Sequence, residues 1–164
     1  RVLFRSTRLG IGNITVVDGD VFEVTNLNRQ ILSLNQNLGK SKAFTAGERI
    51  EAIDGNINVN VVAAFVTREN VKDVIRNHDV VVDALDSNAT RGIVLEACKV
   101  LGIPFVHGAI GGWYGQVSTI FPEDSILRQQ ITEAKPHGIE NDLGNPSFTP
   151  ACIASVQVAQ TLKL

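Results

Sequence analysis

The stretch NITVVDGDVFEVTNLNRQ, residues 13–30, decides the fold. Four β-branched residues in a row, Ile14 to Val17, run into Asp18. A run of that kind has no polar face to turn to water, so it reads as a strand covered on both sides, over residues 13–18. Such strands belong to parallel sheets flanked by helices. Ligands of those sheets bind outside the carboxyl ends of the strands. Asp18 and Asp20 fall at that edge, and a polar string containing Asn26, Arg29 and Gln30 comes after them.

Working outward, residues 41–54 carry Ala43, Ala46, Ile50 and Ile53 at helical spacing, with Gly55-Asn56 as a stop. Residues 59–66 read as a second strand, 68–77 as a short helix and 79–85 as a third strand. A helix over 88–101 ends at Gly102, and two further strands cover IPFVHGAI and GQVSTIF. Residues 122–147 are polar and rich in Pro, Gly and charge, and read as a long loop. Residues 149–164 are helical by pattern, with Pro150 in the first turn. Alternating strands and helices, with acids at strand ends, predict an α/β fold: a Rossmann-like, doubly wound, mostly parallel sheet. Asp18, Asp20, Asp83 and Asp86 are expected along its ligand-binding edge.

Composition narrows the classes. At 164 residues, with 44% hydrophobic and 20% charged residues, the chain is long enough for one domain with a proper core. A net charge of −2 argues against a nucleic-acid platform. No apolar run approaches the roughly 20 residues of a membrane span, and the start does not resemble a secretory signal. Two distant cysteines, Cys98 and Cys152, give no disulfide framework and fit a reducing, cytoplasmic setting. Both read as buried helix residues.

Several side chains suit the binding of a nucleotide. An acid ending a strand hydrogen-bonds ribose hydroxyls, so Asp18 is either a ribose hook or the cap of the next turn. Arg29 offers a planar fork for phosphate and Lys42 a mobile point charge; alone, each is also an ordinary solvated cation. Asn26 and Gln30 beside Arg29 are amides that are costly to bury without partners. Asp86 either holds Mg²⁺ on a triphosphate or caps the helix beginning near Asn88; capping by Ser87 or Asn88 would leave it free. His78, His107 and His137 are scattered and suggest no metal set. Trp113 and Tyr114, among the glycines of GGWYGQ, are either packed hairpin aromatics or contact residues for a partner.

Four blocks in order, DGDVFEVTNLNRQ, LGKSKA, DALDSNATR and GNPSFTPACIASVQVAQTLKL, resemble the ThiF/MoeB/HesA family, prokaryotic relatives of ubiquitin-activating E1 enzymes. The similarity covers nearly the whole chain from about residue 8. It implies an adenylyltransferase that uses ATP and Mg²⁺ to activate the C-terminal carboxylate of a small ubiquitin-like carrier protein (ThiS/MoaD-like) as an acyl-adenylate. By that resemblance Asp18 and Asp20 lie at the nucleotide, with Asp18 on the ribose. Asn26, Arg29 and Lys42 serve the phosphates, Gln30 belongs to the same ATP-binding set, and Asp86 serves Mg²⁺ and the reacting phosphate. Asp86 and Arg29 are the catalytic candidates, and a homodimer is implied, with the arginine reaching across it.

The chain departs from the pattern in two respects. The family's opening strand and glycine-rich phosphate turn have no counterpart here, so residues 1–7 read as a non-native leader and 8–164 as one truncated domain, expected to be inactive alone. The two CxxC pairs of many relatives are also absent, so no zinc site is expected. Two other readings stand beside the leading one: an NAD-binding oxidoreductase, which gives Arg29, Lys42 and Asp86 no task, and a non-catalytic scaffold of the same fold.

Overall fold

The computed structural model describes residues 1–132, 144 and 146–164. The chain forms two compact units, Arg1–Val66 and Thr67–Leu164. Helix α1 (Val2–Arg8) opens the first, followed by strand β1 (Asn13–Val17), helix α2 (Lys42–Ile53) and strand β2 (Asn58–Val62). Two short 3₁₀ turns, Val24–Asn26 and Asn35–Asn37, lie between β1 and α2. β1 and β2 pair in parallel, from Asn13 opposite Asn58 to Val17 opposite Val62. A parallel pair needs a crossover, and α2 supplies it.

α2 begins where Ser41 accepts the Phe44 N–H on its side chain. It buries Ala43, Ala46, Gly47 and Ile50, the i, i+3, i+4, i+7 stripe expected of a helix that covers a sheet. Ile14 and Val16 of β1 meet that stripe together with Ile57, and Leu3 and Phe4 of α1 close over the same cluster. Residues 2–8 therefore pack as an element of this unit, with Ser6 and Thr7 buried.

The second unit contains α3 (Val71–Ile75), β3 (Val81–Val82), α4 (Asn88–Leu101), β4 (Phe105–Gly111), β5 (Tyr114–Ile120), α5 (Ser125–Thr132) and α6 (Phe148–Thr161). β3 and β4 are parallel, β4 and β5 form an antiparallel hairpin, and the three share one sheet in that order. Helix α4 is bounded as its sequence requires: Ser87 caps it by accepting from the Thr90 N–H, and Gly102 ends it in the left-handed region at φ 72°. α6 packs on the hairpin. It comes so close at Gly108 that a Cβ there would lie 2.4 Å from the Gln157 carboxamide.

Four elements differ from expectation, the first being the strand expected over 59–66, which ends at Val62. The strand expected over 79–85 pairs only at Val81 and Val82. Beyond them the Asp83 side chain takes the Leu85 N–H, and the Gln157 amide takes the Asp83 carbonyl, so the ladder stops. The helix expected over 68–77 is confined to Val71–Ile75, since Thr67 and Asn70 form a side-chain-bonded turn before it. The loop expected over 122–147 contains α5, which buries Ile131. Residues 133–143 and 145 of that stretch, His137 among them, lie outside the described residues. Among the described residues no helix is long and apolar enough to cross a membrane.

Candidate functional site

In the first unit, Asp18 comes directly after β1, and its N–H continues the ladder to the Val62 carbonyl. Its carboxylate accepts the Asp20 N–H at 2.9 Å, a tight Asx turn that reverses the chain at the carboxyl end of the strand. Residues 20–22 then run antiparallel to 39–42. Phe22 N–H bonds to the Lys40 carbonyl, Gly39 N–H to that of Phe22, and Lys42 N–H to that of Asp20. This clasp brings the first turn of α2 beside the acid turn. Lys42 Nζ lies 3.0 Å from Asp20 Oδ2, with the lysine 14% and the aspartate 51% exposed. Asp18, Asp20 and Lys42 are thus assembled at one strand end.

The polar string forms a second local assembly. Asn26 is buried and its side-chain oxygen accepts the Glu23 N–H, which closes the first 3₁₀ turn. Its carbonyl accepts the N–H groups of Arg29 and Gln30. Arg29 folds back so that Nη1 donates to the Thr25 carbonyl at 2.8 Å and to the Asn28 side chain at 3.0 Å. Asn26 therefore shapes the turn from inside, and Arg29 is the half-buried cation carried on it. Gln30 accepts the Ser33 N–H through its carbonyl.

In the second unit, Asp86 is exposed. Ser87 performs the helix capping, which leaves the Asp86 carboxylate without a protein partner among the described residues. It stands one residue ahead of the N-cap of a 14-residue helix, where the peptide dipoles favour negative charge. Asp83, grouped with it in the sequence, is buried instead. Its Oδ2 accepts from Arg91 Nε at 2.7 Å and His107 Nδ1 at 2.6 Å, and its Oδ1 accepts from Leu85 N at 2.9 Å. Arg91 further donates to the Asn88 side chain and the Leu85 carbonyl.

Sequence reasoning missed Arg91. It occupies the buried stripe of α4 with Val94, Leu95 and Cys98. The signal that points to it is Asp83 itself: a carboxylate after three valines must find a cation nearby. His107 lies in the core, with its ring between Asp83 and Gln116. Of the two cysteines, Cys98 is buried as expected, while Cys152 is exposed on the outer face of α6. Trp113, at the hairpin turn, stacks obliquely on Phe148 with ring centroids 4.7 Å apart.

Parallel strand pairs joined by helices, with acids at their carboxyl ends, define an α/β chain of the nucleotide-binding type. It belongs to the ThiF family, whose profile matches residues 4–164. The chain is 35% identical over 159 residues to the SAMP-activating enzyme E1 of Haloferax volcanii, covering 95% of this chain and 59% of that protein. It is 39% identical over 165 residues to the sulfur carrier protein adenylyltransferase of Thermus thermophilus, covering 94% of this chain and 60% of that protein. It thus spans under two thirds of either relative. Among solved structures, the tRNA N6-threonylcarbamoyladenosine dehydratase of E. coli, in complex with ATP, superimposes with a TM-score of 0.82 at 30% identity. That match covers 99% of this chain and 79% of the other.

Proposed function

We propose that this chain is the nucleotide-binding part of an adenylyltransferase that activates a carboxylate as an acyl-adenylate, and that the carboxylate is the C-terminus of a small ubiquitin-like carrier protein. The observation that carries the reading is Asp86: an exposed carboxylate, spared from capping by Ser87, at the head of a long helix and shortly after a strand. When bound, ATP supplies the adenylyl group and Mg²⁺ offsets phosphate charge. An unpartnered carboxylate is the donor a hard cation requires, so Asp86 fits Mg²⁺. Asp18, at the end of β1, suits ribose hydroxyls; Lys42 and Arg29, on Asp20 and Asn26 supports with Gln30 adjoining, suit phosphate oxygens. Attack of a carboxylate on the α-phosphate needs positioning and charge neutralisation more than covalent help, and cations and acids are the side chains suited to those tasks.

The relative named for a sulfur carrier protein favours a protein carboxylate, and a net charge of −2 favours it over tRNA. The ATP complex of the dehydratase favours ATP over a dinucleotide. We further propose a homodimer. Val24, Leu27, Ile31 and Leu34 are all exposed around Arg29, an apolar surface suited to a second copy of the chain.

The test is ATP–pyrophosphate exchange in the protein at its full natural length, with a purified small ubiquitin-like carrier protein (ThiS/MoaD-like) as the acceptor. Exchange that requires the carrier and is lost in Asp86→Ala is the expected result. A folded protein that binds the carrier without exchange would leave only a scaffold.

A further inference from the structure

Residues 83–88 are held from inside at several polar groups. The Asp83 carbonyl accepts from Gln157 Nε2 at 2.7 Å, and the same amide nitrogen donates to the Val106 carbonyl at 3.2 Å. The Leu85 N–H is taken by the Asp83 carboxylate and the Leu85 carbonyl by Arg91, which also holds the Asn88 side chain. The side chains of Asp83, His107 and Arg91 are 0%, 3% and 7% exposed. The one carboxylate in the turn that no group among the described residues holds is that of Asp86.

Ion pairs this deep contribute little net stability, since desolvation offsets most of the attraction; what they fix is geometry. His107 completes the fixing. Gln116 Nε2 donates to its Nε2 at 3.2 Å, so the ring carries its proton on Nδ1 and donates it to Asp83 Oδ2. With Arg91 on the same oxygen, Oδ1 is left to face the Leu85 N–H. Loss of the imidazole would leave Arg91 alone on Oδ2 and loosen the seating of the carboxylate against the Leu85 N–H.

We propose that Asp83, Arg91 and His107 are positioning residues, a buried assembly that sets the direction in which the 84–88 turn presents Asp86. The inference rests on the role given to Asp86 above, and it makes His107 necessary to a reaction it does not touch. A misplacement of about 1 Å at a reacting group costs on the order of 100-fold in rate. Binding of ATP, shared among several other side chains, is far less sensitive to the placement of this one.

The experiment compares His107→Phe, His107→Asn and Arg91→Lys with the unsubstituted protein. The first readout is amide hydrogen exchange without nucleotide. In His107→Phe, protection at Leu85 should fall by about tenfold or more while the interior of α4 keeps its protection, a local opening and not a global one. The second readout is pyrophosphate exchange, where kcat should fall about 10- to 100-fold with KM for ATP within about threefold. His107→Asn, whose side-chain nitrogen falls where Nδ1 stood, should recover much of both. Arg91→Lys, unable to reach Asp83, Leu85 and Asn88 together, should lose both; it and His107→Asn decide the matter if His107→Phe does not fold. Unchanged Leu85 protection and kcat, or protection lost evenly through the second unit, overturns the inference. Absence of exchange in the unsubstituted protein counts instead against the proposed activity, and the Leu85 amide still reports on the assembly.

Discussion

Lys42 meets Asp20 twice: its ammonium lies 3.0 Å from the carboxylate, and its backbone N–H donates to the Asp20 carbonyl at 3.0 Å. The lysine is therefore held at the end of β1 by a contact that water reaches freely on the aspartate side. Exposed pairs of this kind contribute about 0–1 kcal/mol. Asp20→Asn should accordingly leave the melting temperature within about 4 °C, followed by circular dichroism.

Lys42→Met removes a charged donor suited to phosphate. Hydrogen bonds to charged groups are worth about 1.5–3 kcal/mol, so ATP affinity measured by calorimetry should fall by about 10- to 100-fold. An unchanged affinity would remove Lys42 from the phosphate site.

Asp86→Ala separates activity from stability. The side chain is exposed and supports nothing around it among the described residues, so melting should shift by less than about 2 °C, as for other surface substitutions. Carrier-dependent exchange should fall by about 100-fold or more, the scale of losing a preorganised charge at a reacting centre.

Gly108→Ala tests the seat of α6. The added Cβ would lie 2.4 Å from the carboxamide that bonds Asp83 and Val106. Overpacking of this kind costs about 1–3 kcal/mol, readable as a lowered urea midpoint at constant slope. A neutral result would mean that α6 adjusts freely.

The two thiols should differ sharply. Burial pushes the Cys98 thiol up to about 12, with Arg128 opposing weakly, whereas Cys152 is exposed. At pH 8 a disulfide reagent should titrate one thiol quickly and the second only on unfolding. The folded state keeps Cys98 protonated while the unfolded chain releases that proton above about pH 8.5. This contribution to stability is therefore present below about pH 8.5 and is lost progressively as pH rises towards 12.

The helices with explicit ends were legible in sequence. Ser41 and Ser87 sit at N-caps, Gly102 at a C-terminus, and α4 falls on the residues its periodicity indicates. Asp18, Asp20 and Asp86 likewise stand at strand ends, because a local run of β-branched residues is enough to place the acids just beyond it. β3 was overestimated because its extent is decided by Gln157, and no local pattern announces that contact. α5 was obscured by its polar flanks, since its apolar residues Ile126, Leu127 and Ile131 are too few to outweigh them. Arg91 stayed unread because it looks unremarkable in its own element and gains its meaning only from Asp83.

The reach of Gln157 bears on the order of events during synthesis. The strand ends it joins belong to residues made much earlier, one of them 74 positions upstream. Until α6 leaves the ribosome, the carbonyls of Asp83 and Val106 lack the amide that joins them, and the face of the hairpin that meets Gln157 at Gly108 is bare. The second unit should therefore remain protease-sensitive on a nascent chain stopped before residue 157, and close in one late step once α6 emerges.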